Sequence, residues 1–558
     1  MTRPALAGFT KASPCRTPAW GGAIALVALL LALPVLVVIG FLLVPAGEVW
    51  SHLAETVLQD YVVNSLWLML GVTVGTLIGG VGTAWLVSMC RFPGRGFFEW
   101  ALLLPMAMPA YIIAYTYTGM LDFAGPVQTG LRGLFGWGYG DYWFPEVRSL
   151  PGAAVMLSLV LFPYVYLLTR AAFLSQSLCV LDVSRTLGNG PWRTFLTLAM
   201  PLARPAIAAG LSLALMETLA DYGTVQYFGI STFTTGIFRT WFGLNNPAAA
   251  AQLSALLLGF IFVLIALEAL SRRQARYHQT SQRHQDIRRF SLRGWRGALA
   301  LGFCLIPVAF GFLIPAGQLA VWALTVAETA LDAAFWRLVL HSLELAVAAA
   351  LLALALALAM GYGRRLLPSP GVALAVRVSG LGYAVPGTVI AIGVIIPFAW
   401  VENGLDAWMR AQFGLSTGLW LSGTLAALLF AYLVRFLAVS LQTVETGLAK
   451  IKPSMDESAR SLGLSPLAVL WRVHIPMLRG SLFTALLLVF VDVLKELPAT
   501  LILRPFNFNT LAVRVYELAA DERLADAAPA ALAIVLAGLL PVILLSRSIT
   551  RSRHAQST

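Results

Sequence analysis

Two polar segments of the chain match each other at a separation of 275 residues. The first runs Asp182-Val-Ser-Arg-Thr-Leu-Gly188, and Pro201 follows thirteen residues later. The second runs Glu457-Ser-Ala-Arg-Ser-Leu-Gly463, and Pro476 follows thirteen residues later. Both segments lie between strongly apolar runs. A chain that repeats one surface loop in each half is expected to fold as two similar halves and to dock something two-fold on the face that carries the loops.

The composition places these halves in a lipid bilayer. Hydrophobic residues make up 59% of the chain and charged residues only 11%, with a mean hydropathy of +0.80. A soluble domain has about 25% charged residues, so this chain cannot cover a water-facing surface. The net charge of +12 is attributed to cytoplasmic loops, where Lys and Arg concentrate, and no nucleic-acid partner is expected.

The apolar runs predict an all-α integral membrane protein with about twelve transmembrane helices. A helix needs about 20 predominantly apolar residues to cross the hydrocarbon core. The candidate spans lie near 21–45, 62–90, 98–121, 151–170, 203–228, 249–270, 297–322, 340–363, 372–400, 419–440, 478–503 and 524–546.

The charges between the spans predict orientation and domain organisation. The first apolar run is too long for a signal-peptide core, and every even-numbered span ends on a basic flank, so both termini are expected in the cytoplasm. The segment 271–296 carries eight Arg against Asp286 alone and reads as a cytoplasmic linker. It separates a first half, 1–270, from a second half, 297–558, each with six spans. Because both halves begin and end on the same side, the repeat is parallel.

Each polar segment is predicted to form a short helix–turn–helix on the cytoplasmic membrane surface, within 182–201 and 457–476. In the second copy, Asp456 and Glu457 suit the positively polarised start of a helix. Gly463 is suited to end it, and Ser465 with Pro466 to begin the next. The alternative is a generic amphipathic connector, which the equal glycine-to-proline spacing disfavours. The corresponding pairs are Arg185 and Arg460, Leu187 and Leu462, Gly188 and Gly463, Pro191 and Pro466, Pro201 and Pro476, and Arg204 and Arg479.

A second correspondence lies within the spans. Leu104 to Ala114 in span three matches Leu381 to Ala391 in span nine, with Pro109 and Pro386 at equal depth. Proline removes a backbone donor, so a matched helix kink is predicted, whether it serves packing or gating.

Spans five and eleven carry acidic residues, which are costly inside a membrane and usually functional. Glu217 and Asp221 lie four residues apart, as do Asp492 and Glu496, at the same 275-residue offset. The spacing predicts that each pair shares one helix face, and that the four carboxylates face each other across the pseudo-two-fold axis. Such hard oxygen ligands suit a hard cation on a substrate path. The alternative is structural, with Lys495 neutralising a neighbour or the acids facing an outer vestibule.

The second polar segment resembles the cytoplasmic coupling loop, or EAA loop, of bacterial ABC importer permeases. The family form is Glu-Ala-Ala, a following Gly, and Ile-x-x-Pro or Leu-Pro near the end, which Glu457-Ser-Ala, Gly463 and Ile475-Pro476 match. The first copy departs from this form with Asp182-Val-Ser, which implies weaker binding of the partner at that loop. The resemblance implies a type I importer fold, in which two ATPase subunits dock on the cytoplasmic face. The residues to which it gives this coupling role are Asp182, Arg185, Gly188, Pro201, Glu457, Ala459, Arg460, Gly463 and Pro476.

The chain is not expected to hydrolyse ATP itself. A P-loop needs Lys followed by Ser or Thr, whereas Lys11, Lys450, Lys452 and Lys495 precede Ala, Ile, Pro and Glu. ATP would therefore be used by a partner subunit, with no cofactor bound by this chain. The scattered Cys and His residues indicate no metal centre, and no metal ligand is assigned.

The segments around the intramembrane acids resemble the ferric-iron branch of these permeases. They run Leu219-Ala-Asp221-Tyr-Gly-Thr-Val-Gln-Tyr-Phe228 and from Asp492 through Arg504-Pro-Phe-Asn-Phe-Asn-Thr-Leu511. The branch also fuses both halves in one chain, and the resemblance implies a bacterial inner-membrane location and a periplasmic binding protein as partner. Thiamine and phosphonate importers share the fused architecture and stay open as alternatives. A twelve-span secondary transporter is the rival class, and a membrane enzyme is disfavoured because no nucleophile–base or metal cluster occurs.

Overall fold

A computed structural model describes residues 18–45, 47–138, 140–175, 190–273 and 289–554. Within these ranges the protein is almost wholly helical, and Cys90–Arg91 (β1) pairs in parallel with Phe290–Ser291 (β2). Eleven described helices are long and apolar enough to cross a membrane, or twelve with one pair bent by 89°, Arg95–Ala107 and Ala110–Phe135. The prediction of an all-α membrane protein with about twelve spans is confirmed.

The first half contains twelve described α-helices. They are α1 Pro18–Gly40, α2 Gly47–Thr56, α3 Leu58–Met89, α4 Arg95–Ala101, α5 Ala110–Leu121, α6 Pro126–Phe135, α7 Leu150–Ser175, α8 Pro191–Thr194, α9 Met200–Ala220, α10 Gly223–Tyr227, α11 Phe233–Phe238 and α12 Pro247–Arg273.

The second half contains thirteen described α-helices. They are α13 Trp295–Val308, α14 Ile314–Thr325, α15 Ala327–Ala330, α16 Ala333–Leu366, α17 Pro370–Ser379, α18 Gly387–Phe413, α19 Leu425–Ala449, α20 Pro453–Ser461, α21 Pro466–Val469, α22 Ile475–Leu494, α23 Pro498–Leu503, α24 Leu511–Ala520 and α25 Leu524–His554. Helices α7 and α19, α9 and α22, and α10 and α23 each begin 275 residues apart. The repeat seen in the sequence is thus a repeat of structure, whereas the division at 271–296 stays a prediction because 274–288 lie outside the described residues.

The matched prolines bend the chain as predicted, but each does so by breaking its helix and not by a kink within it. A 3₁₀ turn, Leu104–Ala107, ends before Pro109, which is the extended residue preceding α5. Pro386 stands in the same position before α18, after the 3₁₀ turn Gly382–Ala384. Proline disfavours the helical conformation in the residue before it, and Met108 and Val385 are both extended. Span nine therefore begins at Gly387, later than the predicted 372.

The second arm of each polar segment runs without interruption into its span, so the predicted ends of the loops at Pro201 and Pro476 are not boundaries of helices. In each half a five-residue π-helical segment, Phe195–Ala199 or Leu470–His474, precedes the proline. A proline inside an α-helix lacks a donor and clashes with the carbonyl four residues earlier. The wider π turn accommodates this clash, so continuous helices extend over Trp192–Ala220 and Pro466–Leu494.

The two halves wrap around each other. Helix α1 of the first half packs against the second half, where Trp20 donates to the Ala359 carbonyl at 3.2 Å and Phe41 stacks on Trp400. Helix α25 of the second half crosses the other way, with Gly538 directly against Ala107. Both large buried apolar clusters accordingly combine residues of the two halves. The halves share their cores, and a cavity is left where their fifth and eleventh spans meet.

Candidate substrate cavity and coupling loops

Residues of both halves line a cavity of about 120 Å³. Such a space holds several water molecules, since about 10–15 Å³ of this measure is enough for one. Its wall includes all four acidic residues selected from the sequence, Glu217, Asp221, Asp492 and Glu496. The prediction that these carboxylates converge across the two halves is therefore confirmed in position.

The carboxylates do not pair up on two helix faces as predicted. Helix α9 ends at Ala220, so Asp221 is the first residue beyond it and accepts from the Thr224 amide at 3.0 Å. Glu496 lies beyond α22 and accepts from the Ala499 amide at 3.1 Å. Each side chain stands one residue before the N-cap of the next short helix and satisfies a free amide in its first turn. Only Glu217 and Asp492 lie on the spanning helices themselves.

Two cations reach this cluster. Lys495 Nζ lies 2.8 Å from Asp492 Oδ1 within the same segment. The alternative that Lys495 neutralises a neighbour is therefore correct for Asp492. Arg435, in the middle of α19, lies 2.8 Å from Glu496 through Nη1 and 4.0 Å from Glu217 through Nη2. The cavity wall then holds two carboxylates in excess of its cations.

Sequence reasoning missed Arg435, although a signal was present. It stands alone as a charged residue between Leu425 and Gln442 in an otherwise apolar run. Charged residues at such depth usually face the protein interior and take part in function. At 7% exposure, Arg435 follows this rule.

The cations belong to the second half alone. At the 275-residue offset, Arg435 corresponds to Val160 and Lys495 to Ala220. Both of these apolar residues also line the cavity. The acidic residues are therefore duplicated, while their counter-charges are not.

The cavity has further polar atoms but no metal centre. The Tyr111 hydroxyl has no hydrogen-bond partner among the described residues, and Tyr164 and Tyr383 also line the wall. Nowhere in the described ranges do three or more His, Cys, Asp or Glu side chains form a group suited to hold a metal ion. The carboxylates are spread over the wall and are partly engaged by cations. This arrangement suits weak binding of a charged cargo as it passes rather than tight chelation.

The second coupling loop has the predicted turn. Helix α20 is followed by Gly463, which adopts the left-handed conformation at φ +82°. Ser465 Oγ accepts from the Ala468 amide, and Pro466 opens the next helix. Helix α20 begins at Pro453, three residues before the predicted start, so Asp456 lies in its first turn. These local predictions for Gly463 and Ser465 are confirmed.

The second loop exposes both charged and apolar side chains, and one small side chain of its first helix is buried. Glu457 and Arg460 are exposed, whereas Ala459 is buried at 6% exposure, so its small side chain faces the protein. Leu462 and Trp471 are 82% and 68% exposed and supply apolar area beside these charges. This surface is chemically suited to contact a partner, while the coupling role of its residues stays a prediction.

Asp456 anchors this loop to the membrane helices. Arg365 Nε, at the end of α16, donates to Asp456 Oδ2 at 2.7 Å, and His474 Nε2 lies 2.6 Å from Oδ1. Arg365 also donates to the carbonyls of Leu448 and Ile451. The residues at the matching places of Asp456 and His474 in the first half are Leu181 and Ala199, so this anchor is not duplicated.

The first coupling loop cannot be described in the same way. Asp182, Arg185 and Gly188 lie outside the described residues. Pro201 is placed, in the first turn of α9. The helix before it is held by aromatic contacts, with Phe195 4.9 Å from Trp85 between ring centroids.

Comparison with known proteins identifies the family. The model of the binding-protein-dependent transport system inner membrane component family matches twice, at residues 71–276 and 353–554. The Fe(3+)-transport system permease protein FbpB 2 of Haemophilus influenzae is 27% identical over 543 residues, which cover 96% of this chain and 99% of that protein. The ferric transport system permease protein FbpB of Actinobacillus pleuropneumoniae is 23% identical over 474 residues, 80% of this chain and 65% of its own.

A second group of relatives matches a smaller part of the chain. The molybdenum transport system permease protein ModB of Escherichia coli K12 is 31% identical over 151 residues, 27% of this chain and 62% of that protein. The double family match and the full-length relative agree with the duplicated spans and loops. The chain belongs to the family of binding-protein-dependent transport inner-membrane components, as a fused ABC importer permease that spans the inner membrane many times.

Proposed function

We propose that this permease imports ferric iron, delivered to its outer face by a periplasmic binding protein. The observation that carries the proposal is the charge of the cavity between the two halves, where four carboxylates outnumber Arg435 and Lys495. Oxygen ligands suit a hard cation. The relative that matches nearly the whole chain carries ferric transport in its name, which supports the same cargo.

Molybdate is the less suitable cargo, although ModB proteins match part of the chain. An oxyanion would be repelled by the excess of carboxylates, and both cations of the wall are already paired. Thiamine, a positively charged organic molecule, also suits the charge, and the name of the relative that matches nearly the whole chain favours iron over it. The family match favours an importer over the secondary transporter considered from the sequence.

We further propose that two ATPase subunits bind the cytoplasmic face, at 182–188 and 457–463. The exposed Glu457, Arg460 and Leu462 support a protein contact at the second loop. ATP binding and hydrolysis by these partners would move the loops, and α21, which continues through the π turn into α22, would carry the movement to the cavity. The chain itself would supply no catalytic group.

Both termini are proposed to lie in the cytoplasm. The outer loop after α23 contains basic residues, which run against the orientation rule. Acidic partners offset them, because Arg504 Nη2 lies 2.9 Å from Glu517 and Arg523 Nε lies 2.8 Å from Asp526.

The experiment that tests this function is uptake of labelled cargo by proteoliposomes. They would contain this permease with its cognate ATPase and binding protein, and would be offered ⁵⁵Fe(III), radiolabelled thiamine or radiolabelled molybdate. ATP-dependent accumulation of iron alone is expected. Accumulation of thiamine or molybdate instead of iron would refute the cargo, and accumulation without the ATPase would refute the mechanism.

A further inference from the structure

We infer that Arg435 is a tethered counter-ion, which occupies the carboxylates of the cavity between transport cycles and is displaced by a cationic cargo. The inference rests on the proposed function, because it concerns how the same cavity handles a positive charge. It assigns a role to a residue at the contact between the two halves.

The position of Arg435 is the first argument. Its guanidinium lies between Glu496 of the second half at 2.8 Å and Glu217 of the first half at 4.0 Å. Lys495, in contrast, pairs with Asp492 three residues earlier in its own segment. Of the two cations in the described wall, Arg435 is therefore the one that lies within ion-pair distance of acids from both halves.

The incomplete bonding of Arg435 is the second argument. A guanidinium has five N–H donors. Arg435 engages Glu496 closely, while its buried Nε has no hydrogen-bond partner in the described part of the chain. The Glu217 carboxylate is beyond hydrogen-bond distance and remains 30% exposed. A buried pair held for stability alone would satisfy these groups, because unpaired buried donors are costly.

The backbone beside this pair leaves room for it and for nothing larger, which is the third argument. Gly387, the first residue of α18, lies where any Cβ would overlap both Glu496 Oε1 and Arg435 Nη1. The Tyr111 hydroxyl in the same wall also lacks a partner among the described residues. The cavity beside the pair, an unpaired hydroxyl and a half-engaged guanidinium together mark a place where a cargo exchanges with a resident charge.

Exchange between Arg435 and the cargo explains why a cation can pass through the cavity without remaining bound there. A cation that enters the wall gains Glu217 and Glu496 but must displace Arg435, which stays covalently attached nearby. When the halves move, Arg435 returns to the carboxylates and the cargo is released. Binding strong enough to enter and weak enough to leave is what conduction through such a site requires.

The test uses the purified full-length chain in lipid nanodiscs and Tb³⁺, a hard trivalent probe whose luminescence is sensitised by nearby tyrosines. Arg435→Gln removes the competitor, and we expect Tb³⁺ to bind about tenfold more tightly. Glu496→Gln leaves Arg435 without its close partner, and we expect binding about tenfold weaker than wild type. The double variant Arg435→Gln/Glu496→Gln restores the charge balance and should bind Tb³⁺ as the wild type does. Asp521→Asn, at an exposed carboxylate outside the cavity, is the matched control and should change nothing.

A merely structural pair gives a different pattern. The double variant would then be at least as impaired as either single variant, and unchanged affinity in Arg435→Gln or in Glu496→Gln would overturn the inference. If Arg435→Gln does not fold, the Glu496→Gln comparison decides alone. Absence of Tb³⁺ binding in every variant would also overturn it.

The outcome separates this inference from the proposed cargo. If the Tb³⁺ pattern holds but proteoliposomes accumulate no iron, Arg435 is a tethered counter-ion for another cation. If iron is accumulated but all variants bind Tb³⁺ with the affinity of the wild type, iron remains the cargo and the proposed role of Arg435 is refuted.

Discussion

Arg365 in the last turn of α16 donates a 2.7 Å hydrogen bond to Asp456 in the first turn of α20. This bond ties the second polar segment directly to a membrane span. His474 lies against the other oxygen of the same carboxylate, in the π turn that leads into α22. A displacement of α20 therefore acts on two spans at once, and one of them reaches the cavity.

Asp456→Asn is expected to reduce cargo-dependent stimulation of the partner ATPase severalfold without loss of ATPase binding. The substitution removes a charge-assisted hydrogen bond, a bond of about 1.5–3 kcal/mol, and loosens α20 from α16. The measurement is ATP hydrolysis by the reconstituted complex with and without loaded binding protein. Glu445→Gln is the control, because its 2.7 Å partner Arg364 is also on α16 but the pair does not involve α20. Wild-type stimulation in Asp456→Asn would contradict the transmission role.

Gly463→Pro is expected to abolish association with the ATPase while the spans stay folded. Gly463 has φ +82°, whereas proline is fixed near about −65°, so the turn and α20 must distort. Co-purification of a tagged ATPase measures the effect, and gel filtration checks the fold. Gly418→Pro is a matched control, since Gly418 also has positive φ at +62° in an exposed loop but lies between α18 and α19. Undiminished co-purification with Gly463→Pro would rule out docking at this loop.

Asp221→Asn and Glu496→Gln are each expected to lower iron uptake by about tenfold, the equivalent of about 1.4 kcal/mol in the barrier to passage. Each change removes one negative charge from the cavity but keeps the shape and the capping oxygen of the side chain. Initial rates of ⁵⁵Fe(III) uptake give the measurement. Asp521→Asn, outside the cavity, should transport at the wild-type rate. Unchanged uptake in both cavity variants would remove these carboxylates from the path.

Gly387→Ala is expected to reduce uptake, because its Cβ would overlap atoms of Glu496 and Arg435 and push the pair apart. Gly404→Ala on the same helix meets nothing within 4 Å and serves as control. In a helix the control change is stabilising by up to about 1 kcal/mol, so its uptake should not fall. Equal uptake by both variants would show that the close approach of the Gly387 backbone to this pair is not needed.

The orientation is testable by cysteine labelling from the two sides of the membrane. Ser461→Cys in α20 should react only with reagent on the cytoplasmic side, and Thr329→Cys in α15 only with reagent outside. Cys90 gives little background, because burial raises the pKa of its thiol to about 11 and thiolate is the reactive form. Replacing the other three cysteines by serine completes the reporter background. The reversed labelling pattern would refute cytoplasmic termini.

Much of this architecture is readable from the sequence, because hydropathy and repetition are strong signals. Gly463 and Ser465 were predictable, since the positive φ and the cap follow from residue type and spacing. The four cavity acids were predictable because charge inside an apolar run is rare.

Other features depend on tertiary context. Periodicity alone does not reveal that α9 ends at Ala220. The end is set by Asp221, whose side chain accepts from the amide of Thr224 in the next helix. The π turns before Pro201 and Pro476 were not predicted, because the sequence does not show how the helix avoids the clash between each proline ring and the preceding turn. Arg435 was missed because its partners, Glu496 and Glu217, are 61 and 218 residues away in sequence.

The unequal distribution of counter-charge explains what fusing the halves accomplishes. A hypothetical assembly of two first halves would place four acids and no base around the passage, since Val160 and Ala220 stand where the second half has Arg435 and Lys495. An assembly of two second halves would balance every acid with a base. Only the combination of one first half with one second half produces a passage whose negative charge is partly compensated. Because both halves belong to one chain, every molecule has this one-to-one ratio.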